Sequence, residues 1–261
     1  MIQPSVEKTK SPSTGRLIAL GVTTGLLAGL LGVGGGIIMV PVLVAFGMTR
    51  HRATGTSLAA VLVIAAAGAI AFGAAGDVDL PTAVALGVGG LAGSTIGAHW
   101  MNRLSGVTLA RVFGVVLLVA GVRMAIGGSV TEGELGLSPV ASIALELLIG
   151  ALTGILAGLA GVGGGIVLIP AMVLLLGIDQ HTAEGTSLIA ILFTAAAGSR
   201  VNIANGHVDW RAVGILGIAG ALVAPASAAL AQTIPSDTLG RIFGVFVVIN
   251  AVRTLWRSRE G

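Results

Sequence analysis

Two stretches of backbone, rather than any set of reactive side chains, carry the chemistry of this sequence. They are Leu31-Gly32-Val33-Gly34-Gly35-Gly36-Ile37-Ile38-Met39-Val40-Pro41 and, 129 positions later, Ala160-Gly161-Val162-Gly163-Gly164-Gly165-Ile166-Val167-Leu168-Ile169-Pro170. Each puts four glycines in five residues inside an apolar run. Glycine within a helix costs roughly 1 kcal/mol relative to alanine, so each cluster breaks its helix. The first N–H groups of the resuming helix have no internal partner, and the macrodipole places about half a positive charge beside them. With no side chains in the way, Gly34, Gly35 and Gly36, like Gly163, Gly164 and Gly165, let an anion approach the backbone. No Lys-Ser or Lys-Thr follows either cluster, which excludes a nucleotide-phosphate loop. Glycine also lets membrane helices pack closely, but that use wants it every fourth residue, not in a contiguous cluster.

Hydroxyls recur beside the glycines. Gly55-Thr56-Ser57-Leu58 and Gly185-Thr186-Ser187-Leu188 open long apolar runs in the two halves. Two roles are open to Thr56, Ser57, Thr186 and Ser187: capping helix ends, or donating to an anion at the glycine turns. Polar residues inside apolar runs are costly and functional by default. Arg200, Asn202 and Asn205 form such a cluster where the first half has Ile70, Phe72 and Ala75. Arg200 and Asn202 are therefore candidate substrate contacts, although Arg200 could also snorkel to the interface. His99 and Glu146 are candidates for carrying a coupling proton, while His51, His181 and His207 read as solvated loop residues. No Ser/His/Asp set or metal-ligand constellation emerges, so neither an enzyme nor a cofactor is expected.

The elements that position these groups follow from hydropathy and charge. A mean hydropathy of +1.02 over 261 residues describes an integral membrane protein, with no disulfide framework because cysteine is absent. Apolar runs fall at about 17–31, 36–48, 56–75, 82–100, 107–126, 139–160, 165–177, 186–204, 211–230 and 238–256. The halves also align at Gly76-Asp77-Val78-Asp79 with Gly206-His207-Val208-Asp209, and at Arg111-Val112-Phe113-Gly114 with Arg241-Ile242-Phe243-Gly244. Duplication explains this ordered set.

Lys and Arg favour the cytoplasmic side. If each glycine-broken segment enters the bilayer and returns, Arg50, Arg52, Arg103, Arg111, Arg211, Arg253, Arg257 and Arg259 gather on that side. Asp77, Asp79, Glu132, Glu134, Asp179, Glu184 and Asp237 then gather outside, with Arg123 and Arg241 as exceptions. The expected fold is an all-α polytopic membrane protein built as an inverted repeat, each half a re-entrant hairpin plus three transmembrane helices. Hairpin arms of about 12 to 15 residues are roughly 18–22 Å long and reach past the midplane of a ~30 Å core. The expected divisions are a cytoplasmic tail at 1–15, a first repeat at 16–128, an extracytoplasmic linker at 129–137, a second repeat at 138–257 and a tail at 258–261. The basic residues serve orientation, so nucleic acid is not an expected partner; the lipid bilayer and a small anion are. Proton coupling and homo-oligomerisation stay open.

The doubled Gly-Val-Gly-Gly-Gly motif with its downstream proline, and Gly-Thr-Ser-Leu after each copy, resembles the TauE/SafE family of sulfite exporters, also described as the toluene-sulfonate uptake permease group. The resemblance runs from about Arg16 to Arg257. It implies carriage of small sulfur-containing oxyanions such as sulfite, thiosulfate, sulfonates or sulfoacetate-like acids across the cytoplasmic membrane. Alternating access around the glycine waist is the expected mechanism. An anion channel, or the membrane subunit of a larger complex, is the alternative.

Overall fold

The computed structural model describes residues 12–100, 106–127, 138–160 and 164–257. Residues 1–11 of the tail expected at 1–15, the tail expected at 258–261, the linker 129–137 with Glu132 and Glu134, Arg103 and Gly163 lie outside the described residues, as does the side chain of His99; Thr14 and Gly15, counted in the first tail, are helical. The described chain is helical without strands. In the first half come α1 (Thr14–Leu31), α2 (Gly36–Ala45), α3 (Arg50–Ala75), α4 (Leu80–Trp100) and α5 (Gly106–Ala125). The second half repeats the series with α6 (Pro139–Ala160), α7 (Gly165–Ala171, continued by a π-helical turn Met172–Leu176), α8 (Gln180–Ala204), α9 (Trp210–Ala231) and α10 (Ser236–Arg257).

Five of these (α1, α3, α8, α9 and α10) are long and apolar enough to cross a membrane. The hairpin arms differ from the sequence expectation. The first arms have 18 residues in α1 and 22 in α6, about 27 and 33 Å, whereas α2 has only 10 residues. Each break therefore comes at the end of a helix of nearly spanning length, followed by a short return. The apolar run at 139–160 gave α6 its full length, but the run at 17–31 understated α1, because Thr14, Gly15 and Arg16, polar or small, extend the helix before Leu17.

Packing follows the repeat. The first helix of each half lies against the fourth helix of the other, α1 on α9 and α6 on α4, while α3 packs on α8 and α5 on α10. Glycines set the approach. A Cβ at Gly25 would overlap the Gly220 carbonyl and one at Gly29 the Ala224 carbonyl, just as one at Gly154 would overlap Gly90 and one at Gly93 the Ala151 carbonyl. These seams use the small-residue packing available when both helices are already in an apolar solvent. The corresponding helices α3 and α8 run antiparallel, since Gly55 near the start of α3 abuts Asn202 near the end of α8. At the other end Gly185 abuts Phe72 and the Asp77 carbonyl. Helices α5 and α10 do the same, with Gly114 against Leu255 and Gly121 against Val248.

The 26 residues of α3 span about 39 Å and put Arg50 and Asp77 at opposite ends. In this cysteine-free chain, Arg50→Cys and Asp77→Cys should each react with an impermeant maleimide from one face only, and from opposite faces. Labelling of both from the same face would contradict a single crossing between them.

Candidate functional site

The first glycine cluster is a turn, not a kink. Gly32, Gly34 and Gly35 have φ of 61°, 70° and 75°, a left-handed region open to glycine without penalty, so three of the four glycines are required by backbone shape. The chain then doubles back along α1. A Cβ at Gly35 would fall 2.7 Å from Thr24 Cβ, and the ring of Phe46, just past α2, sits 5.5 Å from the Arg16 guanidinium at the start of α1. In the second half Gly164, at φ 90°, caps the start of α7. Helical bonding restarts at Ile38 N–H, which donates to the Gly35 oxygen at 3.3 Å, and at Val167 N–H, which donates to the Gly164 oxygen at 3.0 Å.

The start of α7 meets the first turn in the interior. A Cβ at Gly165 would lie 2.9 Å from Val33 Cα and 3.1 Å from the Gly32 oxygen. Gly32 through Gly36, Gly164 and Gly165 are all buried. Corresponding side chains of α3 and α8 wall this centre: a Cβ at Gly34 would be 3.2 Å from Val61 Cγ1 and 3.4 Å from Ile191 Cδ1. Ser187 Oγ donates to the Gly32 oxygen at 2.5 Å, which supplies the broken α1 with the partner its helix no longer provides. Ser57, its counterpart on α3, is fully buried and its Oγ has no hydrogen-bond partner. It lies one turn before Val61 on the same helix face, which points it toward the Gly34 contact.

Thr56 and Thr186 do something the sequence did not suggest. They cap nothing in their own helices, since α3 is capped by Thr49 and α8 by Asp179, well upstream. Instead Thr56 Oγ1 accepts from Asp209 N–H at 3.0 Å, and Thr186 Oγ1 accepts from Asp79 N–H at 2.9 Å. Each threonine thus clamps the turn of the other half, where Asp209 and Asp79 cap α9 and α4 by accepting from Ala212 and Thr82 N–H. An accepted bond occupies a lone pair and leaves each hydroxyl its proton to donate.

The other candidates are spread. Arg200 is exposed and nine residues beyond Ile191, about 13 Å along α8. Asn202 packs on Gly55 and donates to its own helix at the Gly198 oxygen, 2.8 Å away. Neither joins the glycine centre. Glu146 is nearly buried and takes a hydrogen bond from Ser142 at 3.3 Å. His181 is not a solvated loop residue: its ring bonds Ser236 Oγ at 2.8 Å and the Ala231 oxygen at 3.2 Å. Sequence reasoning missed Glu184, assigned to an outer acidic loop but fully buried in the second turn of α8. A Cβ at Gly32 would fall 2.6 Å from its Cα. Its place directly before Gly-Thr-Ser-Leu was the available signal. Among the described residues, no group of three His, Asp or Glu side chains could hold a metal ion.

Five helices long and apolar enough to cross a membrane, gathered around a buried glycine turn, make this a polytopic membrane protein. Residues 2–124 and 146–261 match the family model described as sulfite exporter TauE/SafE, and the chain belongs to that family. It is 30% identical over 250 residues to a probable membrane transporter protein of Xylella fastidiosa, covering 92% of this chain and 94% of that one. It is 26% identical over 219 residues to the probable membrane transporter protein YunE of Bacillus subtilis, covering 74% and 80% respectively. No solved structure matches the chain.

The two serines separate structure from binding. Ser187→Ala leaves the buried Gly32 carbonyl unpaired and should cost about 1–3 kcal/mol of stability. Ser57→Ala removes a hydroxyl that bonds no protein atom and should leave the unfolding midpoint of the purified protein almost unchanged. Equal losses in thermal unfolding would show that both serines serve the scaffold.

Proposed function

We propose that the protein is a secondary transporter of the cytoplasmic membrane that carries small sulfur-containing oxyanions, of sulfite, thiosulfate, sulfonate or sulfoacetate type, by alternating access. The observation that carries this function is Ser57, a fully buried hydroxyl without a partner, one turn before the Val61 that faces Gly34. An anion there would accept from Ser57 and from the leading N–H groups of the return helices, at the positive ends of their dipoles. Gly34, Gly35 and Gly36 would form one side of the site and Gly164 and Gly165 the other, and Thr56 and Thr186 each keep a hydroxyl proton free to donate. The substrate class rests on the family, whose description is that of a sulfite exporter.

The halves act as an inverted repeat, each hairpin re-entering from its own side, with both chain termini cytoplasmic. The antiparallel pairing of α3 with α8 and of α5 with α10 supports this, as does the gathering of Arg on one side. Transport is then a rocking of one half against the other around the anion. The chain acts as a carrier and not as an enzyme.

Purified protein in liposomes should show saturable sulfite counterflow, whereas unitary currents would make it a channel. Ser57→Ala should weaken sulfite binding by roughly 5- to 150-fold in calorimetry at fixed salt, the equivalent of losing one hydrogen bond of about 1–3 kcal/mol. Gly35→Leu should abolish transport, because it sets a side chain into Thr24 at a left-handed backbone position. Gly214→Leu is the control, since a Cβ there meets nothing within 4 Å. Wild-type flux in the Gly35 variant would remove the glycine turn from the mechanism.

A further inference from the structure

Among the described residues, Glu184 is the one ionisable side chain with no exposed surface, and its surroundings lack the partner a charge requires. Gln180 Nε2 donates to Glu184 Oε1 at 2.7 Å. The other two oxygens of this pair, Glu184 Oε2 and Gln180 Oε1, are buried and bond nothing. The charged groups around it do not help. Asp77 from the turn after α3 and Asp179 from the cap of α8 are both acidic. The α1 tip offers only Gly32, and α10 sets Gly240 against Gln180 Oε1. Of the ionisable groups on α10, Asp237 is exposed and the Arg241 guanidinium lies by Gly127 at the end of α5. His181 is turned to Ser236 and the Ala231 carbonyl.

An ionised Glu184 would be a buried charge with an unpaired oxygen, beside a second unpaired acceptor on Gln180. One proton resolves both. On Oε2 it removes the charge and converts that atom into a donor. A carboxylic acid and a primary amide then close a ring of two hydrogen bonds, N–H to the acid carbonyl and O–H to the amide carbonyl.

We propose that Glu184 is a proton-binding site of this transporter: it holds one proton with Gln180 while the Gly32 turn is packed on it, and exchanges that proton with water when the turn moves away. The site rests on the transporter function argued above and adds its coupling ion. It occurs once per chain, because the position corresponding to Glu184 in the first half is Thr54, which has no carboxyl.

Infrared spectroscopy of the purified protein in lipid tests this without a substrate. The difference spectrum of wild type minus Glu184→Gln, at neutral pH, should contain the C=O band of a protonated carboxyl that shifts down in D2O. Gln180→Leu, which keeps the carboxyl and removes its acceptor, should move the band to higher frequency. No such band, an unmoved band in Gln180→Leu, or its disappearance when sodium replaces potassium would each overturn the proposal, the last by assigning the oxygens to a metal cation. In proteoliposomes with radiolabelled sulfite, Glu184→Gln should lose accumulation driven by a pH gradient and retain sulfite–sulfite exchange; retained gradient-driven accumulation would overturn the proposal. A wild type that exchanges no sulfite counts against the substrate alone, because the infrared result decides the proton site by itself.

Discussion

A carbonyl released by a broken helix has no water to turn to inside a bilayer. The Gly32 oxygen is in that position, and the hydroxyl of Ser187 answers it from the other half of the molecule. The rest of the centre depends on this single bond. It holds the tip of the first hairpin against α8, brings Gly32 onto Glu184, and sets the Gly34 turn between Val61 and Ile191. Leaving such a group unpaired costs about 1–3 kcal/mol, more than most side-chain contacts there contribute. The glycine turn can exist at that depth because a neighbour is placed to complete it.

Much of this was legible in the sequence. Contiguous glycines identified the breaks, because no packing seam calls for four in five residues. The duplicated motifs matched the helices of one half with those of the other. What failed to show had a common cause: polar residues buried by the opposite half look like loop residues when read along one strand of sequence. Gln180, His181 and Glu184 precede the apolar run at 186, yet they form the first turns of α8 and pack inside. Thr56 and Thr186 read as caps or anion donors, because they open apolar runs beside the glycines. Their partners, the N–H groups of Asp209 and Asp79, are contributed across the repeat and leave no local trace. Ser57 and Ser187 are identical in context, and only the packing distinguishes the bonded one from the unbonded one.

The scaffold is symmetric where backbone meets backbone and asymmetric where charge is placed. Asp209 and Asp79 are both caps held by a threonine, but Asp209 also pairs with Arg52 at 3.1 Å, whereas Asp79 receives the hydroxyl of Thr82 at 2.9 Å. The residue that corresponds to Arg52 is Thr182. A partly exposed pair of this kind contributes little to stability, about 0–1 kcal/mol. Its effect is to make one end of the molecule electrostatically unlike the other. Together with Glu184 facing Gly32, it gives two equivalent hairpins different neighbours, so the two sides of the membrane are not interchangeable to the protein.

The exchange of partners between halves has a consequence for how the chain is made. The glycine face of α1 is complementary to α9, with Gly25 seated on Gly220 and Gly29 on Ala224. At a synthesis rate of about 5–20 residues/s, roughly 10–40 s separate the emergence of those two surfaces from the ribosome. Throughout that interval α1 stands in lipid or against the insertion machinery with its seam uncovered. Helix α1 is thus made long before the surface it seats on, and neither half owns a complete set of contacts until the second has been made.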